Sequence, residues 1–163
     1  FLNQSSQPAL SGVQGLMFGH IPFVEVMTLY SLYNGSQPRV EGTKGENVTC
    51  SSLNTGMMGA AIDRDVTAIF HGHDHKNDYR IDVPVSQDRS LTIGYGRKSG
   101  YGGYLGGVAD DPGARVINLA LDPADSTKFS WSSYIRTEKG EIVDQKNETS
   151  NNGNQPQLAC GMF

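Results

Sequence analysis

The chain is short of several things, and each shortage excludes a class of protein. Thirteen Lys and Arg stand against seventeen Asp and Glu, a formal charge of −4 over 163 residues. Without a basic excess there is no field to hold nucleic acid or an anionic membrane surface, so neither is expected as a partner. Only two cysteines occur, Cys50 and Cys160. In an oxidising compartment they allow one disulfide with each other; the alternatives are two thiols, or a partner cysteine on another segment. Long hydrophobic runs are also missing. The most apolar stretch, Leu16 to Tyr33, is broken by His20, Pro22, Glu25 and Ser31, so it does not read as a membrane span. The first residues, Phe1 to Pro8, carry neither a charged leader nor an apolar signal core. A chain that begins with Phe rather than Met is expected to be a processed or excised piece.

What is present points to one folded domain. The length supports a single core, and 37% hydrophobic with 18% charged residues argues against wholesale disorder. Twenty glycines imply many loops and special backbone positions. Four Asn-X-Ser/Thr triplets begin at Asn3, Asn34, Asn47 and Asn147, all in polar surroundings. Together they favour a secreted or extracellular glycoprotein, in which a Cys50–Cys160 disulfide would be at home.

Periodicity gives a coarse layout. Residues 13–18 read as a short buried strand ending at Gly19-His20-Ile21-Pro22, and Pro22 opens a helix over roughly 23–33. Residues 34–45 are polar and read as an exposed insertion. A short helix follows over 53–62, then an apolar strand at 66–70 that runs into His71-Gly72-His73-Asp74-His75. Strands are expected over 79–85, 91–95, 115–121 and 129–137, with a glycine-rich loop at 94–107 carrying Tyr95, Tyr101 and Tyr104. The division is an amino-terminal extension (1–12), a domain (13–137) and a loosely packed polar tail (138–163). Apolar strands ending in candidate chemistry suit an α/β protein, whose ligands gather at the carboxyl ends of strands.

The histidines carry the functional signal. There are four, and His71, His73 and His75 fall within five residues while His20 ends the other apolar strand. Neutral imidazoles are common ligands for Zn, Fe and Mn, with carboxylate or amide oxygens completing the shell. A metal-free surface loop is the bland alternative, weakened by the placement directly after an apolar strand.

Gly72-His73-Asp74-His75 with Asn77-Asp78-Tyr79 resembles the last metal-binding motif of calcineurin-like metallophosphoesterases, in the branch related to purple acid phosphatases. Phe18-Gly19-His20-Ile21-Pro22 is similar to the motif before it, and Gly94 to Tyr101 resembles the glycine-rich strand after the site. The resemblance covers roughly residues 13–121. It implies the carboxyl-terminal half of a four-layer α-β-β-α sandwich with mixed sheets, and two divalent or trivalent metal ions, Fe, Zn or Mn. By the same resemblance His20 and His73 bind one ion and His75 the other, whereas His71 stays outside the metal shell. Asp74 and Asn77 are expected to orient the imidazoles and shape the loop, and Arg97 with Lys98 to border the substrate entrance.

Three earlier motifs of that family, Asp-x-His, Gly-Asp and Gly-Asn-His-Asp/Glu, do not occur in this chain. The bridging carboxylate, the Asn ligand and the histidine for the leaving group are therefore missing. Two functions follow as expectations. The first is hydrolysis of phosphate monoesters at a dinuclear centre to which this chain supplies only the last histidines. The second is a catalytically inactive secreted glycoprotein with a structural or self-assembly role. In either case an open strand edge calls for a partner, the missing amino-terminal half or other copies of the chain.

Overall fold

The computed structural model describes residues 12–34, 40–146, 148–150 and 156–161. The sequon at Asn3 lies outside the described residues, as do Asn147 itself and the second and third residues of the Asn34 triplet.

The order of elements is β1 (Gly15–Phe18), α1 (Val24–Tyr33), β2 (Val40–Lys44), α2 (Met57–Asp63), β3 (Val66–His71), β4 (Arg80–Pro84), β5 (Ser90–Tyr95), a 3-10 turn (Gly107–Asp110), β6 (Gly113–Leu121), β7 (Phe129–Thr137), β8 (Ile142–Val143) and β9 (Glu148–Ser150). Six strands form a mixed sheet in the order β1-β3-β5-β4-β2-β9, and β6-β7-β8 form a second sheet. β1, β3 and β5 are parallel, whereas β4 runs antiparallel to both β5 and β2. The chain is therefore α/β with mixed strand directions, compatible with the carboxyl-terminal half of a metallophosphoesterase.

Burial follows the alternation of the strands. Ile69, Ile81, Leu91 and Ile93 are fully buried and join Val26 and Tyr30 of α1 and Ala61 of α2 in one core. On the other side of the large sheet Phe70 meets Trp131 of β7 edge-to-face at 5.7 Å. Arg115 of β6 lies over the same Phe70 ring, 5.7 Å from its centre. Helices, large sheet and small sheet thus stack in three layers.

Two expectations about the polar segments are corrected. Residues 40–44, within the stretch read as an exposed insertion, form β2 in the large sheet, with Val40 and Lys44 buried. Polar composition hid a period of two in which Val40, Gly42 and Lys44 face inward. Gly42, at φ +97°, lies so close to Tyr79 that a Cβ would stand 2.8 Å from its Cα. The tail is also more tightly held than a loose extension. β8 pairs with β7 and β9 with β2. Farther on, Gln157 Nε2 donates to Val48 O at 2.8 Å while its Oε1 accepts from Val48 N–H at 2.8 Å. Cys160 is joined to Cys50 by a disulfide.

Candidate metal and phosphoester site

The parallel pairing of β1 with β3 brings the histidine motifs together. Beyond the register Phe18↔Phe70 the ladder continues into the loops. Gly19 N–H donates to Phe70 O at 2.9 Å and Gly72 N–H to His20 O at 3.1 Å. His20 and His73 stand side by side as a result, their rings edge-to-face with centres 5.2 Å apart. Gly72 cannot readily be larger, since a Cβ there would lie 3.2 Å from His20 Nδ1.

His73 occupies φ +74°, a conformation that is costly for any residue but glycine. Asp74 N–H donates back to Gly72 O at 2.9 Å, closing a three-residue turn around His73. The residues that follow hold this turn. Asp74 is buried and accepts from Tyr95 Oη at 2.7 Å and from Thr49 N–H at 3.2 Å to each oxygen. Burial pushes its carboxyl above the usual range, and the Tyr95 and Thr49 hydrogen bonds pull the other way. Asn77 Oδ1 accepts from the N–H groups of Gly45 and Glu46, at 3.0 and 3.1 Å. Asp78 accepts from Thr43 N–H at 2.8 Å and from Arg97 Nη1 at 2.6 Å.

A cleft of about 400 Å³ opens between the histidine loop and residues 96–102; His20, His73, His75, Lys98 and Ser99 line it. His75 is set apart from the other two. Its ring stacks on Tyr104 at 4.3 Å and 13°, and its Nδ1 is buried with no hydrogen-bond partner. His71 points into the protein, 4% exposed, against Phe23 at 4.9 Å. Burial lowers its pKa to about 4, so its imidazole is neutral.

Arg97 also lines this cleft. Its guanidinium binds Asp78 and, through Nε at 3.0 Å, Asp111 O, and its side chain is 4% exposed. It ties the segment after β5 to the histidine loop, and a guanidinium so engaged has little left to offer a phosphate. Lys98 Nζ donates to Gly100 O at 2.6 Å, within its own loop. Tyr101 is exposed and its hydroxyl donates to Glu138. Sequence reasoning placed Tyr104 in the glycine-rich loop without seeing its pairing with His75. The signal that could have found it is the Gly102-Gly103 pair before it, which marks a close backbone approach.

Imidazoles are common transition-metal donors, and of the three candidate ligands His75 has a buried ring nitrogen, Nδ1, without a hydrogen-bond partner. Their number does not complete a centre: among the described residues no group of three or more His, Cys, Asp or Glu is placed to hold an ion. No helix among the described residues is long and apolar enough to cross a membrane.

An α/β sheet with a histidine pair at the carboxyl ends of adjacent parallel strands is compatible with a part of a metallophosphoesterase. By sequence the chain is similar to proteins named purple acid phosphatases. It is 29% identical over 138 residues to "Probable inactive purple acid phosphatase 29" of Arabidopsis thaliana, an alignment that covers 84% of the chain and 33% of that protein. It is 28% identical over 143 residues to "Probable inactive purple acid phosphatase 14" of the same plant, covering 87% of the chain and 32% of the relative. The chain therefore spans about a third of the length of the curated relatives it matches. No protein-family model matches it. No solved structure matches it.

Proposed function

We propose that this chain is the histidine-bearing carboxyl-terminal part of a secreted metallophosphoesterase that hydrolyses phosphate monoesters. The observation that carries this reading is the adjacency of His20 and His73 at the ends of parallel β1 and β3, with His75 on the same cleft. His20 and His73 would hold one ion and His75 a second, the remaining donors coming from the rest of the longer protein. A pair of Fe, Zn or Mn ions supplies Lewis acidity toward the phosphate ester and an acidified water. The chain's own part is positional. Asp74, Asn77 and Asp78 fix the loop through backbone N–H groups, and Arg97 braces it from behind. Exposure of Asn47 agrees with a glycan at that sequon, and the Cys50–Cys160 disulfide agrees with an extracellular setting.

The test uses the longer protein that contains this segment, with para-nitrophenyl phosphate as substrate. Replacing His73 by Ala is expected to lower turnover at least about a hundredfold, on the scale of removing a group essential to the transition state. Unchanged turnover in that variant would refute the role of His73.

A second reading has its own support, because both relatives carry "inactive" in their names. In that case the longer protein is a glycoprotein with a structural role. Ion content without hydrolysis, or no ion at all, is the outcome that selects it.

A further inference from the structure

Asn47 is exposed, but the triplet it opens is held on every side. Val48 is fully buried and its backbone is clamped by the tail. Gln157 Oε1 accepts from Val48 N–H and Gln157 Nε2 donates to Val48 O, both at 2.8 Å, and Gly161 N–H donates to the same oxygen at 2.9 Å. Thr49 gives its N–H to Asp74. Gly161 also passes so near the Thr49 hydroxyl that a Cβ there would stand 3.2 Å from Oγ1. Glu46 N–H donates to Asn77 Oδ1 at 3.1 Å, and Ser51 N–H to Pro22 O at 3.1 Å. Cys50, directly after the triplet, is bonded to Cys160.

Glycosyl transfer needs more than an exposed amide. The Asn side-chain nitrogen attacks the anomeric carbon of a lipid-pyrophosphate-linked oligosaccharide; a C–N bond forms, the lipid pyrophosphate leaves and the amide gives up one proton. The transferase reads the hydroxyl two residues on at the same time, so Asn-X-Thr has to enter its groove as an accessible segment. In this fold residues 46–51 would first have to leave their partners, and the disulfide opposes such local opening. Until the tail has been synthesised, neither clamp nor disulfide can form. Cys160 follows Cys50 by 110 positions, roughly 5–20 s of synthesis at ordinary rates. We propose that the tail gates Asn47: the residue accepts an oligosaccharide only while Cys50 and Cys160 are unpaired, and closure of the disulfide ends the window. This rests on the reading of the chain as part of a secreted protein and goes beyond it by naming what controls the modification.

The test uses the longer protein that contains this segment, made without glycans and purified with the disulfide intact. It is offered to an oligosaccharyltransferase with its lipid-linked donor, and occupancy of Asn47 is followed by peptide mass spectrometry. The oxidised protein is compared with the dithiothreitol-reduced protein, Cys160→Ser and Gln157→Ala. Transfer to the oxidised form is expected to be at least about tenfold slower than to the reduced form, as a cross-link that suppresses opening requires. Cys160→Ser should match the reduced protein; Gln157→Ala, which keeps the disulfide, should fall between. Equal rates for oxidised and reduced protein would overturn the gate, as would a reduced chain modified at Asn3 or Asn147 but not at Asn47. The secreted reading is checked separately: in secretory cells, glycan absent from all four sequons overturns that reading and leaves the measured rates as they are.

Discussion

His71 shows how much a single position can reveal when chemistry and burial disagree. A histidine after an apolar strand and two residues before His73 invites a metal role, yet its ring is buried against Phe23 and neither nitrogen has a hydrogen-bond partner among the described residues. Leaving polar atoms unsatisfied is costly, so the ring persists only as a neutral group. Its pKa is about 4 when folded and 6.5 when unfolded. Between those values the unfolded chain binds the extra proton, so stability is complete above pH 6.5 and is lost as pH falls toward 4. The size is roughly 3 kcal/mol from the difference of the two values. Asp74 works in the opposite sense: its raised pKa favours the folded state below about pH 4 and that contribution disappears as pH rises through its folded value. Urea unfolding of the wild-type chain should therefore show a midpoint that drops between pH 7 and pH 4.5. His71→Leu removes the titrating group and should flatten that slope; an unchanged slope would mean the buried imidazole is not its source.

At the scale of elements, the carboxyl-terminal segment and the histidine loop are linked through residues 48–50. Gln157 holds the backbone of Val48 through both ends of its amide, Gly161 N–H adds a third bond to Val48 O at 2.9 Å, and the Cys50–Cys160 disulfide secures the next turn. Thr49, between them, donates its N–H to Asp74. The disulfide joins cysteines 110 positions apart. Closing so long a loop lowers the entropy of the unfolded chain, and losing a native disulfide typically costs about 2–5 kcal/mol. Cys160→Ser should lower the thermal midpoint accordingly and also speed hydrogen exchange at the Asp74 and Thr49 amides. Exchange there at the wild-type rate would show that the tail is stapled on without supporting the loop.

That linkage also marks the limit of sequence reading. β1, β3 and β5 were legible because runs such as Val66 to Phe70 are apolar and short, and the histidines were legible because they cluster where such runs end. β2 was not, because Glu41, Thr43 and Lys44 mask its inward Val40 and Gly42, and it is held by Asp78 and Asn77 from a distant loop. The tail was missed for the same reason, its order coming from Gln157 and Cys160 rather than from any hydrophobic period. The burial of Arg97 is not legible in the sequence because the Asp78 and Asp111 that engage it lie 19 and 14 positions away.

On the scale of the whole molecule, the large sheet ends at β1, and that edge decides how the chain behaves by itself. β1 pairs with β3 on one side and with no strand among the described residues on the other. Phe18 is 65% exposed there, and beside it an apolar cleft of about 880 Å³ is lined by Met17, Ile21, Phe23, Leu53 and Met57. An unpaired parallel edge beside such a cleft is a template for another strand. The chain spans about a third of the length of the curated relatives, and in the 163-residue chain taken alone a second copy can supply a strand to that edge. The isolated chain is therefore expected to self-associate, with a weight-average mass in sedimentation that rises with concentration. Phe18→Lys places a charge at the edge and should shift that association to higher concentration. Its ring also stacks on Phe70 at 6.0 Å, so circular dichroism must confirm that the variant stays folded. A wild-type chain that sediments as a 17.6 kDa monomer at every concentration would show that the edge is already covered.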